Sequence, residues 1–321
     1  MSLADSPPKG SVSGRTAFEE REAAHRAGFV ALVGPPSAGK STLLNRLVGQ
    51  PLAIVSPKPQ TTRRRILGIA RRPGVECILL DTPGAHTPKT GLGRAMMRVV
   101  RESLGGSDVV LLVLDGCRRL SLDGMRLLHR VERFTGPWVA GINKTDRAPR
   151  RMVRELGARC EDRGATAVVA FSARTGANVE TAAGGPGPLF DVLTGLLPFS
   201  PPLYDEDQIT DLSEAFLAAE LVRERMLVHL RQEVPHTAAV RIEEYDDAAG
   251  LLRITASLLV DRASQRGIVI GRGGRMLRRI GTESRLAIEK RVGRRVFLDL
   301  TVKVRAGWRD NPGILRHLGL G

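Results

Sequence analysis

Two short glycine loops carry most of the chemistry legible in this chain. The first, Gly34-Pro35-Pro36-Ser37-Ala38-Gly39-Lys40-Ser41-Thr42, has the spacing G-x-x-x-x-G-K-[S/T]. Its glycines allow successive backbone N–H groups to turn inward around phosphates, with the following helix adding its positive end. Lys40 is then placed to reach the outer phosphates and the Ser41 hydroxyl to ligate Mg²⁺. The second loop lies in Ile268 to Gly281, IVIGRGGRMLRRIG. It fails the dinucleotide spacing because Met276 stands where a third glycine is needed, and reduces to a G-x-x-G turn from Gly271 to Gly274.

Base choice is carried elsewhere. Asn143-Lys144-Thr145-Asp146 closes the apolar run PWVAGI, and a carboxylate there accepts from N1–H and the exocyclic amine of guanine. Adenine offers no such donor pair, and leaving a buried carboxylate unpaired is costly, so Asp146 selects guanine. Asp81-Thr82-Pro83-Gly84 follows CILL. Asp81 is positioned to hold Mg²⁺ through water, and the Gly84 N–H to sense a terminal phosphate.

The elements that must position these residues follow from periodicity. FVALVG, CILLDTPG, DVVLLVLDG, PWVAGINK and AVVAFSA are short runs apolar on both alternating faces, with helical stretches between them. They predict a doubly wound, mostly parallel α/β P-loop domain over 28–197. Residues 1–27 read as a disordered or polar tail, Ala182 to Pro188 as a surface loop, and 198–210, with PFSPPLYDEDQIT, as a linker. Over 211–311 the order α-β-β-α-α-β is expected, a smaller α+β domain, with 312–321 as a C-terminal tail. In a KH domain a G-x-x-G loop of this kind clamps the backbone of about four single-stranded nucleotides. The candidate RNA contacts are Ile270, Gly271, Arg272, Gly273, Gly274, Arg275, Arg278 and Arg279. Ile268, Val269 and Ile270 before the loop, with Leu277 and Ile280 after it, read more as core than as contact.

Composition agrees. The 321 residues carry a formal net charge of +15, and between Arg262 and Arg309 fourteen Lys/Arg face three acids. Such an excess favours an anionic partner. Aromatic content of 4% argues against a stacking platform. Three cysteines without metal or disulfide spacing fit a reducing cytoplasm, and no apolar run reaches the length of a membrane helix.

The three motifs of the first region, taken in order, resemble a small-GTPase domain of the translation-factor class. That resemblance implies a first switch in KPQTTRRRILGI (58–69), whose threonine orders onto Mg²⁺: Thr62 is favoured and Thr61 is the alternative. Ser172-Ala173-Arg174 is similar to an SA[K/E] element whose Ala173 N–H approaches the guanine oxygen. Asn143 would brace the loop and the Lys144 stem would cover the base. Adding VIGRGGRMLRRIG, PPLYDEDQITD and VKVRAGWRDN, the whole chain from about Gly28 to Asn311 resembles the Era GTPases, a GTPase domain followed by a KH domain.

The resemblance implies GTP/GDP and Mg²⁺ as ligands, small-subunit ribosomal RNA near its 3′ end and the small ribosomal subunit as partners, a monomer, and a cytoplasmic role in subunit assembly. Two positions depart from it. Ser37 stands where the family has an asparagine associated with K⁺, which leaves K⁺ activation open, and Ala85 stands where many GTPases place a water-orienting glutamine. Slow intrinsic hydrolysis is the expectation. An RNA-binding factor that keeps nucleotide as a structural ligand, and a GTPase in weak peripheral contact with the inner membrane, are the alternatives.

Overall fold

The computed structural model describes residues 25–56, 58, 60–180, 185, 187–230, 234–248 and 250–320. Nearly all of the N-terminal tail and part of the Ala182–Pro188 loop lie outside them. The apolar runs form β1 (Arg26–Val33), β3 (Val75–Asp81), β4 (Val109–Asp115), β5 (Trp138–Asn143) and β6 (Ala167–Ala170). With β2 (Ile66–Arg72) they make a sheet of order β2-β3-β1-β4-β5-β6, in which only β2 is antiparallel to its neighbour.

Helices cover both faces. α2 (Gly91–Gly105), α3 (Leu122–Val131) and α4 (Arg150–Glu161) bury Met96, Leu128 and Cys160 against one side; α1 (Lys40–Val48) and α5 (Pro188–Gly195) bury Leu44 and Phe190 against the other. The loops after β1, β3, β5 and β6 therefore share the carboxyl edge of the sheet, where open α/β sheets bind ligands. These are the four loops that bear the motifs.

Strand β2 was not expected, because its sequence ILGIARR is interrupted by Gly68 and flanked by arginines. It is an edge strand, and the proline-rich connection covers it: Ile69 N–H donates to Ile209 O at 2.9 Å and Thr210 Oγ1 to Leu67 O at 2.6 Å. Covering the edge satisfies groups that would otherwise template foreign strands.

The second region follows the expected order: α6 (Glu214–His229), a short α7 (Val234–Thr237), β7 (Ala239–Ala248), β8 (Leu251–Val260), α8 (Ala263–Ile270), a 3-10 turn at Arg272–Gly274, α9 (Arg275–Val292) and β9 (Arg295–Val304). In its sheet β7-β8-β9 the first pair is antiparallel and the second parallel. Val222, Met226, Ile254, Val269, Ile280 and Ile288 form its core.

Two expectations are corrected. Ile268 is 46% exposed while Val269 is fully buried, because one helical step of about 100° turns the neighbour outward. And the segment after 311 is not a simple tail: α10 (Pro312–His317) is capped by Asn311, and Leu315 and Leu320 bury with Trp308 against Leu92 and Met96 of α2. The two regions thus share a core at this seam.

Candidate functional site

The first loop owes its shape to close packing. A Cβ on Gly34 would lie 2.3 Å from Val113 O, on Gly39 2.2 Å from Asn143 Nδ2, and on Gly84 2.7 Å from Pro36 Cα. Gly39 also has φ +101, a conformation that side chains disfavour. Lys40 opens α1 and is 5% exposed; its Nζ donates to Gly34 O at 3.0 Å and Pro35 O at 3.1 Å, curling the loop around the ammonium. Burial pushes this ammonium down to about 8, against the pull of the Asp81 carboxylate. An anion seated in the loop would restore the charge.

Three groups converge beside it. Ser41 Oγ lies 2.8 Å from Thr62 Oγ1 and donates to Asp81 Oδ2 at 2.7 Å, and Thr62 Oγ1 donates to the same oxygen at 3.2 Å. Asp81 Oδ1 is buried with no hydrogen-bond partner, and burial raises this carboxyl despite Lys40, Ser41 and Thr62. Two hydroxyls and a carboxylate are hard oxygen donors of the kind Mg²⁺ takes. Thr61 does not join them; its carbonyl accepts from Arg223 Nη2.

At the other end of the edge, Asn143 ties three loops together. Its Nδ2 donates to Ala38 O at 2.8 Å, and its Oδ1 accepts from Ala173 N at 2.9 Å and Lys144 N at 2.7 Å. Lys144 Nζ bridges Ser37 O and Asp115 Oδ2 at 2.7 and 2.6 Å, fixing the aliphatic stem. Asp146 accepts from Ser172 Oγ at 2.6 Å and from Arg174 at 2.6 and 3.1 Å. The Ser172 hydroxyl foremost, and Arg174 after it, hold this carboxyl below the usual carboxylate range. Arg46 supports the same element by donating to Ala173 O at 2.7 Å and Arg174 O at 2.7 Å, a role its place in α1 did not reveal. Thr42 is half-buried in the first turn of α1, while Thr82 and Pro83 are buried; Thr82 Oγ1 donates to Leu32 O at 2.8 Å and stays with the sheet.

A further contact was not foreseen. Both neighbours of Thr62 are fastened to the second region: Thr61 through Arg223 of α6, and Arg63 through Nη1 to Ala238 O at 2.7 Å and Nη2 to Pro235 O at 3.3 Å. Arg63 is 8% exposed, sits 6.0 Å from the centre of the Trp308 ring, and burial pushes its guanidinium down to about 9. Trp308 is itself fixed by Nε1 donating to Thr237 O at 2.8 Å. In sequence these arginines are indistinguishable from the other cations of an arginine-rich segment.

The second loop is built differently. Gly271, Gly273 and Gly274 all have positive φ (71, 61 and 74), and Gly273 and Gly274 have open space where a Cβ would stand. Arg272, Arg275, Arg278 and Arg279 are exposed; of these Arg279 pairs with Glu283 at 3.0 Å. Ile270 is half-buried beside the loop. The two loops are thus a wired pocket and an open charged turn.

Comparison with known proteins agrees with this pairing. The family described as 50S ribosome-binding GTPase matches residues 29–144, and that described as KH domain matches 233–309. GTPase Era of Stenotrophomonas maltophilia is 43% identical over 299 residues, spanning 92% of this chain and 97% of that protein. The chain belongs to the Era GTPases. GTPase Era of Pseudomonas fluorescens is 41% identical over 301 residues, 93% of this chain and 98% of its own length. Among solved structures, a variant of Aquifex aeolicus Era bound to GDP·AlF4⁻ superposes with a TM-score of 0.86 at 37% identity, covering 92% of this chain and 99% of that one. Era in complex with MgGDPNP and nucleotides 1506–1542 of 16S ribosomal RNA gives the same figures.

Within the Era frame, the two departures acquire a geometry. Ser37 sits at φ 61, a left-handed conformation that asparagine tolerates better than serine. Ala85 is 8% exposed, its N–H donates to Gly34 O at 3.0 Å and its methyl packs into the core, so it offers nothing to a water. No helix among the described residues is long and apolar enough to cross a membrane.

Proposed function

We propose that this chain binds guanine nucleotides with Mg²⁺, hydrolyses GTP slowly, and uses the state of that site to govern how its second domain takes single-stranded RNA near the 3′ end of small-subunit ribosomal RNA. The observation that carries the reading is the convergence of Ser41, Thr62 and Asp81 within 2.7–3.2 Å beside the glycine-lined loop, in a switch segment bonded to the second domain. Two solved Era structures that superpose on this chain support it, one bound to GDP·AlF4⁻ and one to MgGDPNP and a 16S fragment.

In this reading Asp146 and the Ala173 N–H hold the guanine edge, with Asn143 keeping their loops in register. Lys40 and the N–H groups of 34–42 neutralise the phosphates. Ser41, Thr62 and Asp81 would hold Mg²⁺, which when bound supplies positive charge where phosphate charge develops. With Ala85 buried, no side chain among the described residues acts as an evident base, and catalysis rests on electrostatic positioning. The arginine loop takes the sugar–phosphate backbone. The protein acts as a monomer in the cytoplasm during small-subunit assembly.

The test is GTP hydrolysis by the purified protein in K⁺ and in Na⁺, with and without a short RNA of the small-subunit 3′ sequence. Turnover raised by RNA is the expected result. GTP binding without turnover under every condition would instead favour an RNA-binding factor that keeps nucleotide as a structural ligand.

A further inference from the structure

The residues that follow Thr62 reach the far end of the chain. Arg63 sits 6.0 Å from the centre of the Trp308 ring, and Arg64 stacks on Phe216 of α6 at 4.5 Å. The Arg64 guanidinium also meets Gly319, where an added Cβ would lie 2.6 Å from Arg64 Cζ. Gly319 has φ 65; its N–H donates to Arg316 O at 2.8 Å, and Leu320 N–H donates to Leu315 O at 2.7 Å. The chain thus turns back behind α10 and returns Leu320 to the protein. There Leu318 and Leu320 line one small cavity with Arg63, Arg64 and Ile66.

The same stretch packs on the segment that follows Gly84. Trp308, Leu315 and Leu320 bury in one cluster with Ala85, Leu92 and Met96. Gly91 N–H donates to Asp310 Oδ1 at 2.6 Å, and a Cβ on Gly91 would lie 2.9 Å from Arg309 O, so α2 starts directly against this end of the second region. Ala85 in turn donates from its N–H to Gly34 O at 3.0 Å, which ties the cluster to the phosphate loop. Residues 308–320 therefore touch both the segment that carries Thr62 and the segment that carries Gly84.

We infer that 308–320 is a strap that positions the nucleotide site for GTP hydrolysis, with Gly319 and Leu320 acting through Arg64 to hold Thr62 at the Mg²⁺ site. This rests on Thr62 serving as a Mg²⁺ ligand. Arg64 is two residues from Thr62, so a displaced guanidinium moves the backbone that aims the Thr62 hydroxyl at Ser41, 2.8 Å away. Ordering a loop onto a metal costs conformational entropy for every residue fixed. A strap that fixes 62–64 by packing removes much of that cost from the step in which the terminal phosphate and Mg²⁺ are engaged, and it does so without occupying the polar groups they need. Sealing of the core accounts for Leu315, which is buried, but not for Gly319, an exposed left-handed turn laid against a guanidinium. Gly319 and Leu320 are positioning residues, since they act on the reaction only through the switch segment.

The experiment uses the full chain with Leu320→Ala, with Gly319→Ala, with the conservative Leu320→Met, and with Arg316→Ala as a control on the exposed side of α10. Single-turnover GTP hydrolysis is measured across a Mg²⁺ series, together with GDP affinity and amide hydrogen exchange over 60–66. Leu320→Ala and Gly319→Ala should slow hydrolysis roughly fivefold and raise the Mg²⁺ concentration for half-maximal rate about threefold, with GDP affinity changed less than twofold. Exchange over 60–66 should quicken while α3 and α4 keep the parent's protection. Leu320→Met and Arg316→Ala should match the parent in every measurement. Gly319→Ala, at an exposed position, keeps the test decisive if Leu320→Ala fails to fold. A parental rate and Mg²⁺ dependence in both strap variants would overturn the proposal. So would slowing that is the same at every Mg²⁺ concentration and accompanied by faster exchange throughout the sheet, because that is loss of stability. Thr62→Ala separates the strap from the metal reading on which it rests: a parental Mg²⁺ dependence in that variant sinks the metal reading, whereas a Thr62 effect without a strap effect sinks the strap alone.

Discussion

The two phosphate-facing loops differ in how tightly their glycines are packed. In the first, Gly34 and Gly39 are required because neighbouring atoms occupy the space of a Cβ, and Gly39 also for its positive φ. In the second, Gly271 is crowded by Met276, where an added Cβ would lie 2.7 Å from Met276 Cβ, but Gly273 and Gly274 face open space and are required only for their positive φ. A nucleotide pocket must hold one ligand in one geometry, so its loop is packed against Asn143, Gly84 and Val113 and leaves little to adjust. A loop that rides along an RNA strand needs close backbone approach and surrounding charge, with freedom to accommodate successive nucleotides.

The contrast predicts its largest effect at Gly39. Gly39→Ala forces a methyl onto Asn143 Nδ2, and Asn143 also holds Ala38 and Ala173, so one clash disturbs both phosphate and guanine elements. Nucleotide affinity should fall on the order of a thousandfold, about 4 kcal/mol. Gly273→Ala meets nothing and should cost only backbone strain, about 1 kcal/mol, weakening RNA several-fold and leaving GDP affinity alone. Titrating both variants with fluorescent GDP and labelled RNA checks the pair; comparable losses on both ligands would erase the distinction.

Next in size is the charge of the second loop. Arg275 and Arg278 are exposed, without carboxylate partners among the described residues. Replacing both with alanine should lower the salt slope for a single-stranded RNA by about 1.4 and affinity by roughly ten- to a hundredfold, without altering GTP hydrolysis. Anisotropy titrations between low and moderate salt decide it. A loss that does not vary with salt would mean these arginines pack or read bases instead of neutralising phosphate.

The connection between the two regions gives a smaller effect. Arg63 places two donors on carbonyls of the second region while its neighbour Thr62 faces Ser41 and Asp81. Arg63→Ala should lower the GTP hydrolysis rate about tenfold by loosening Thr62, with GDP affinity changed less than twofold, because GDP lacks the terminal phosphate that the switch would sense. Arg63→Lys should rescue little, since an ammonium cannot span both carbonyls as a planar guanidinium does. Single-turnover hydrolysis alongside GDP binding separates this from general damage, which would lower both.

How much of this was legible from the residues depended on whether a position announces itself locally. Lys40, Asp81, Asn143 and Asp146 stand at fixed offsets from apolar runs, and a run followed by its motif fixes both strand and loop. The α-β-β-α-α-β order was readable for the same reason. What escaped was non-local. Arg63 and Arg223 look like surface cations until the fold buries them at 8% and 5% exposure. Leu315 and Leu320 read as tail because PGILRHLGLG is short and broken by proline and glycine, and their partners on α2 lie more than two hundred residues away. Thr61 and Thr62 are likewise adjacent and alike in sequence, and only the fold shows that it is the Thr62 hydroxyl that meets Ser41.

The smallest predicted effect lies at Ser37 and sharpens the comparison from the pocket side. Its φ of 61 is the one left-handed non-glycine conformation in the first loop, and its carbonyl is occupied by Lys144 Nζ at 2.7 Å. Backbone and carbonyl are therefore already arranged as an asparagine there would need them, and only the side-chain oxygen is missing. Ser37→Asn should stabilise the protein by a few tenths of a kcal/mol, since asparagine adopts this conformation more readily. It should also add an amide oxygen at the phosphate loop that can ligate a monovalent cation. Hydrolysis by the variant should become faster in K⁺ than in Na⁺ by more than the parent's ratio, with GDP affinity unchanged. An identical K⁺/Na⁺ ratio in parent and variant would show that the serine already suffices or that cation assistance is absent, and measuring the parent's ratio distinguishes these. Either way the pocket's response to one atom would contrast with the second loop, where an exposed position has no fixed partner to gain.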